Sequence, residues 1–397
     1  MKWLKRVLLF VIVGITVTYL ASIILNVTYR TTFEKLSATD QQMLTELATI
    51  YQHFEKSSDQ LWNTDYHFEN EPLIVIQSNK SNGIIRQAPF VINVKGMEDR
   101  FFAKEIEMPA SLQLPKIYRL HHFDLSTLTS WAPWNFGEVK MKGTKTFYLK
   151  YYPKMFSDPH LYFDFSSFLL HESFHAYKQR DWIYDKNGVE HIIDYPVDKE
   201  NYALMGLEFT LLDKAMATKN PSIIKQLLQD WTIIRNYRYH KWPQLIGETK
   251  AEAIEGSARY LEYSYSKLNG GNLTVLATKH EPYHITFMQA FHFIANGQAE
   301  SPTFLERDIR YETGAALGLL MDNANIPWKD AIEDHVTKRG KTQFETLKVY
   351  FQLIHSSDYS KHVENIKRDN DYRVLLEQGE RLVRIYHGEF GGEEQTK

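Results

Sequence analysis

Residues 7–25, VLLFVIVGITVTYLASIIL, run without a single charge. A stretch of that length matches a helix crossing the hydrocarbon core of a bilayer, where unbonded backbone is too costly for anything except a helix or a closed barrel. Lys2, Lys5 and Arg6 precede it, so the positive end is expected to stay in the cytoplasm and the bulk of the chain to lie outside. A cleaved signal peptide is the rival reading. The apolar run is long and no A-x-A-like site closes it, which favours a retained single-pass anchor. A buried helix of a soluble protein is a further alternative, disfavoured because no polar face recurs at helical spacing.

The remaining chain is long enough for one large domain or two modest ones. Apolar residues make up 43% and aromatics 14%, which argues for a packed body and against extensive disorder. The net charge of −3 gives no sign of a nucleic-acid partner. Cysteine is absent, which excludes disulfides, thiol nucleophiles and Cys-ligated zinc, so a metal site must draw on His, Asp and Glu.

Three regions are expected: a membrane anchor over 1–30, a helical stalk with a β-rich subdomain over 31–160, and a mostly helical body over 161–397. In residues 31–63, Leu36, Met43, Leu44, Leu47, Ile50 and Phe54 recur at helical spacing. From 72 to 152 the runs PLIVIQS, APFVINV and KTFYLKYY read as strands, separated by turn-forming residues. Beyond Asp164 the pattern is helical, with joints at Asn220-Pro221, Asn269-Gly270-Gly271 and Ser301-Pro302. Strands followed by helices predict an α+β fold.

Residues 165–179, FSSFLLHESFHAYKQ, read as one buried helix with Phe168, Leu169, Phe174 and Tyr177 available for packing. His171 and His175 then lie four apart on one face, where both imidazoles can reach one ion. Glu172 is close enough to take a proton from an activated water without being a ligand. The pattern H-E-x-x-H arises by chance on the order of 0.04 times in a chain of this composition. A catalytic zinc usually takes three protein ligands. The H-x-x-G-x-x-H continuation is missing after His175, so a later glutamate is needed. Glu248, Glu252, Glu255 and Glu262 share much of one side of the helical stretch 243–265.

Glu255-Gly256-Ser257-Ala258-Arg259-Tyr260 resembles the E-G-x-A-x-[YF] segment of the gluzincin metallopeptidases, the group that includes the leukotriene A4 hydrolase and aminopeptidase family. Tyr311-Glu312-Thr313-Gly314-Ala315 is similar to that family's Y-E-K-G segment, and the three motifs follow in the family's order, over roughly 140–325. The resemblance implies a zincin-like catalytic body, Glu255 as third zinc ligand beside His171 and His175, and Tyr311 as the donor to the oxyanion. Two features depart from the family. Glu255 follows His175 by 80 positions, farther than in the aminopeptidases, with two extra helices expected at 199–217 and 221–237. The G-x-M-E-N segment that grips a free amino terminus is replaced by GEVKM at 137–141, so aminopeptidase specificity is not implied.

Tyr311 also reads as a site residue from its own surroundings. Thr303 and Glu306 form a possible capping box for a helix over 303–321, and Gly314, Ala315 and Gly318 make a small-residue stripe that would admit a close helix, such as the metal helix. Tyr283 and His284, after Pro282, are weaker candidates for the same role. The resulting expectation is a zinc hydrolase that cleaves peptide or protein substrates outside the cytoplasmic membrane, with Glu172 as general base. A non-catalytic surface scaffold, or a zinc hydrolase of another cell-envelope bond, are the other readings.

Overall fold

The computed structural model describes residues 2–29, 32–157, 164–184, 192–271, 273–276, 284–299, 301–353 and 359–389. It is an α+β protein with a six-stranded sheet and an N-terminal apolar helix, Lys2–Val27. That helix is long and apolar enough to cross a membrane. The chain divides into two compact units, Met1–Tyr177 and Lys178–Lys397.

The first unit holds the whole sheet. Its strands are β1 (Leu73–Gln77), β2 (Phe90–Ile92), β3 (Lys104–Ile106), β4 (Ile117–Arg119), β5 (Phe136–Met141) and β6 (Thr144–Tyr151), in the order β3-β4-β2-β1-β6-β5. Among the described strand pairs β1–β6 is parallel, and the other four are antiparallel. β1 is buried on both faces, which is why LIVIQ reads as a continuous apolar run rather than an alternating one. One face packs Ile74, Ile76, Val91, Leu120, Met141 and Tyr148 into a core cluster. From the other face, Tyr151 packs against Phe165 with ring centroids 6.1 Å apart, and its hydroxyl donates to Asp40 of helix Ala38–Leu61. That helix begins at Ser37, whose hydroxyl accepts from Asp40 N, and buries Met43, Leu44, Leu47, Ile50 and Phe54.

The runs read as strands correspond to β1, β2 and β6. β3, β4 and β5 were not foreseen. β3 and β4 are three residues long and carry charges, and β5, FGEVKM, is an edge strand with a glycine and exposed polar residues. Their pairing partners, and not their own composition, make them strands.

The second unit is helical among its described residues. Its main helices are Lys199–Met216, Pro221–Lys241, a run from Gly247 to Leu268, Phe287–Ala295, Ile309–Asn323, Gln343–Tyr350, Ser360–Arg368 and Tyr372–Tyr386. The starts follow local chemistry. Asp198 and Asn220 accept backbone N–H groups at the first two, with Pro221 at the first helical position, where its missing donor costs nothing.

Candidate metal centre

The H-E-x-x-H helix starts where Asp164 accepts the Ser167 N–H at 2.7 Å. It runs as α-helix over Phe165–Ser173 and then widens into a π-turn over Phe174–Lys178. Phe174 packs edge-on against Trp62 and Tyr66 at 4.7 and 5.6 Å between centroids. The Tyr177 hydroxyl donates to the Pro72 carbonyl and accepts from Phe147 N. The segment is thereby fixed to the head of β1 and to β6.

His171 is buried, and its Nε2 lies 3.1 Å from Nε2 of His175. Two nitrogens bound tetrahedrally to one zinc at about 2.0–2.1 Å stand about 3.3–3.4 Å apart, so this pair has the spacing of shared ligands. Glu172, between them in sequence, is half-buried. One ligand atom from each of His171, His175 and Glu255 falls within 4.8 Å of the other two. Two imidazoles and a carboxylate are a donor set suited to zinc, and these residues fit that ion.

Glu255 sits in a second π-turn, Glu252–Gly256, inside the Gly247–Leu268 run. π-Turns of this kind recur at functional sites. The other glutamates of this run are engaged elsewhere. Glu252 is bonded by the Arg235 guanidinium at 2.8 Å and by the Thr313 hydroxyl at 2.7 Å. Glu248 accepts from Arg238, Arg310 and Tyr239, and Glu262 pairs with Arg259. Burial alone would raise the Glu248 carboxyl, yet Arg238 and Arg310 pull it down to about 2. Arg235 and Arg238 come from helix Pro221–Lys241, and both also bond Glu208 of helix Lys199–Met216. The two helices that lengthen the interval between His175 and Glu255 therefore hold the glutamate run in place.

Tyr311 lies in the first turn of helix Ile309–Asn323. Its hydroxyl bonds the Glu255 carboxylate, and the Arg307 guanidinium bonds the phenol oxygen from above the ring, 5.6 Å from its centroid. Burial, and then the Glu255 charge, push the phenol above its ordinary value, so it stays a proton donor. The small-residue stripe serves a different crossing from the one expected. A Cβ on Gly256 would stand 2.5 Å from Gly314 Cα, and one on Gly314 would stand 2.5 Å from the Glu252 carbonyl oxygen. The helix admitted is the one bearing Glu255, and Gly318 meets Trp328 and Tyr260.

The expected capping box also differs. Pro302–Leu305 is a separate short turn capped by Ser301, and the helix begins only at Ile309 with no side-chain cap. His284 is exposed and bonds Thr274 at 2.7 Å, whereas Tyr283 lies outside the described residues. Arg307 was not singled out from the sequence; it lies in the turn just before the helix that carries Tyr311. A cavity of about 490 Å³ opens beside it, lined also by Tyr195, Glu248, Thr303, Glu306 and Arg310. No family model, curated protein or solved structure matches the chain.

Proposed function

We propose that this chain is a membrane-anchored zinc metallohydrolase of the gluzincin type that cleaves peptide bonds on the outer side of the cytoplasmic membrane. The observation that carries the reading is the grouping of His171, His175 and Glu255, together with a glutamate, Glu172, next to a ligand. A purely structural metal site has no use for such a base. Zinc held by the three residues supplies, when bound, the Lewis acidity that makes water a nucleophile near neutral pH.

The chain's own groups account for the proton movements. Glu172 accepts a proton from the attacking water and delivers it to the nitrogen of the leaving amine. Tyr311, whose hydroxyl bonds Glu255 in this structure, would turn its one hydrogen bond from that carboxylate to the oxyanion of the tetrahedral adduct. Arg307 holds the Tyr311 ring from above.

Zinc content of the purified full chain tests the ligand set. About one zinc per chain is expected in the wild type. His171→Ala, His175→Ala and Glu255→Ala should each lose it, whereas Glu262→Ala should keep it. Zinc retained by Glu255→Ala would mean that this carboxylate is not the third ligand.

A further inference from the structure

The N-terminal helix is built into the first unit rather than tethered to it. The Ser22 hydroxyl and His121 Nδ1 are 3.0 Å apart, and the Tyr19 and His121 rings meet edge-on at 5.1 Å. The Asn26 amide donates to the carbonyls of Phe102 and Arg119 at 3.0 and 3.1 Å, and the Arg119 guanidinium donates back to the Asn26 side-chain oxygen. Ser22 and Asn26 are both buried. At about 1.5 Å of rise per residue, Tyr19 to Asn26 spans about 10 Å of helix, and the apolar run ends within it, at Leu25.

Two segments are thus held level with the end of the apolar run. One ends at Phe102 and the other starts at His121, and Arg100 ties them together by donating to Asp124 at 2.6 Å and to Ser126 at 3.1 Å. Large apolar side chains project from both. Phe101 is 87% exposed, Leu125 66% and Leu128 48%. Single exposed apolar residues are ordinary. These three differ because hydrogen bonds fix their segments beside a helix of membrane-spanning length.

We propose that Phe101, Leu125 and Leu128 enter the interfacial layer of the leaflet from which the anchor emerges, forming a second contact with the lipid. This rests on the reading that Lys2–Val27 stays in the bilayer. Apolar side chains of surface-lying segments bury to about 5–10 Å at the headgroup boundary, a depth that the Ser22 and Asn26 bonds bring within reach. The first unit then rides on the membrane in a fixed orientation instead of swinging on a stalk.

The absence of cysteine makes the test clean, because a single introduced thiol is unique. Nitroxide labels would be placed on Ile15→Cys, Phe101→Cys, Leu128→Cys and Lys140→Cys in the full chain, reconstituted in vesicles of phosphatidylcholine and phosphatidylglycerol. Lys140 lies on β5, at the opposite sheet edge from β3 and β4. Relaxation by oxygen, which partitions into lipid, is compared with relaxation by a water-soluble nickel chelate. The expected result is that Ile15, Phe101 and Leu128 favour oxygen, with Phe101 and Leu128 shallower, and that Lys140 favours nickel. If Ile15 favours oxygen while Phe101 and Leu128 match Lys140, the lipid contact is wrong and the anchor stands. If Ile15 itself favours nickel, the anchor reading fails and this proposal with it. Labels at 101 and 128 that are immobile and shielded from both agents would overturn it in favour of a protein partner.

Discussion

The Tyr311 hydroxyl reaches Glu255 because two glycines stand where their helices cross. With 2.5 Å between a Gly256 Cβ and Gly314 Cα, any larger residue would drive the runs apart and carry the phenol away from the carboxylate. Tyr311→Phe removes only the hydroxyl and should leave this crossing intact. Under the proposed chemistry its kcat for peptide cleavage falls by about 2.7–4 kcal/mol of barrier, roughly two to three orders of magnitude, while KM changes little, because the oxyanion exists only in the transition state. Steady-state kinetics on a cleaved peptide checks this. At this scale the histidine pair was legible, since i, i+4 spacing on a helix fixes which side chains share a face. The assignment among Glu248, Glu252 and Glu255 was not legible from charge. It turns on which carboxylates Arg235, Arg238 and Arg310 have claimed, and those partners lie 10 to 62 positions away in sequence.

Helices Lys199–Met216 and Pro221–Lys241 looked from the sequence like an interruption between the ligands, yet they supply Glu208, Arg235 and Arg238 to the glutamate run. Their side chains in this network are fully buried. Removing one partner of such a pair strands a buried charge, so Arg235→Ala should cost about 3–5 kcal/mol in urea unfolding. A second element carries a pH signature. Glu46, on helix Ala38–Leu61, is raised to about 7 by burial and by nearby Asp164 at the head of the motif helix. A carboxyl raised in this way favours the folded state below its ordinary value of 4.5, and that contribution is lost as pH rises through about 7. Glu46→Gln should therefore flatten the fall in Tm between about pH 5 and pH 8 that the wild type shows. The π-turns at Phe174–Lys178 and Glu252–Gly256 left no trace in the apolar pattern. Each is a single wide turn of five residues, too short to change the apolar pattern of the helix around it, which is why both segments read as plain helix.

Across the whole molecule, the N-terminal apolar helix, the order of strands before helices, and three of the six strands were readable, because each rests on an apolar run of its own. The short charged strands β3 and β4 and edge strand β5 were not, since their pairing is non-local. The His171, His175 and Glu255 grouping is proposed to serve turnover rather than scaffolding, and Glu172 separates the two. Glu172→Gln keeps the size of the side chain and most of its polarity but cannot accept the water's proton. The deciding measurement is zinc content alongside peptide-library cleavage for the wild-type and Glu172→Gln full chains. Equal zinc is expected in both, with cleavage by the wild type and its collapse in the variant. Cleavage by Glu172→Gln at the wild-type rate, with zinc still bound, would contradict the proposal.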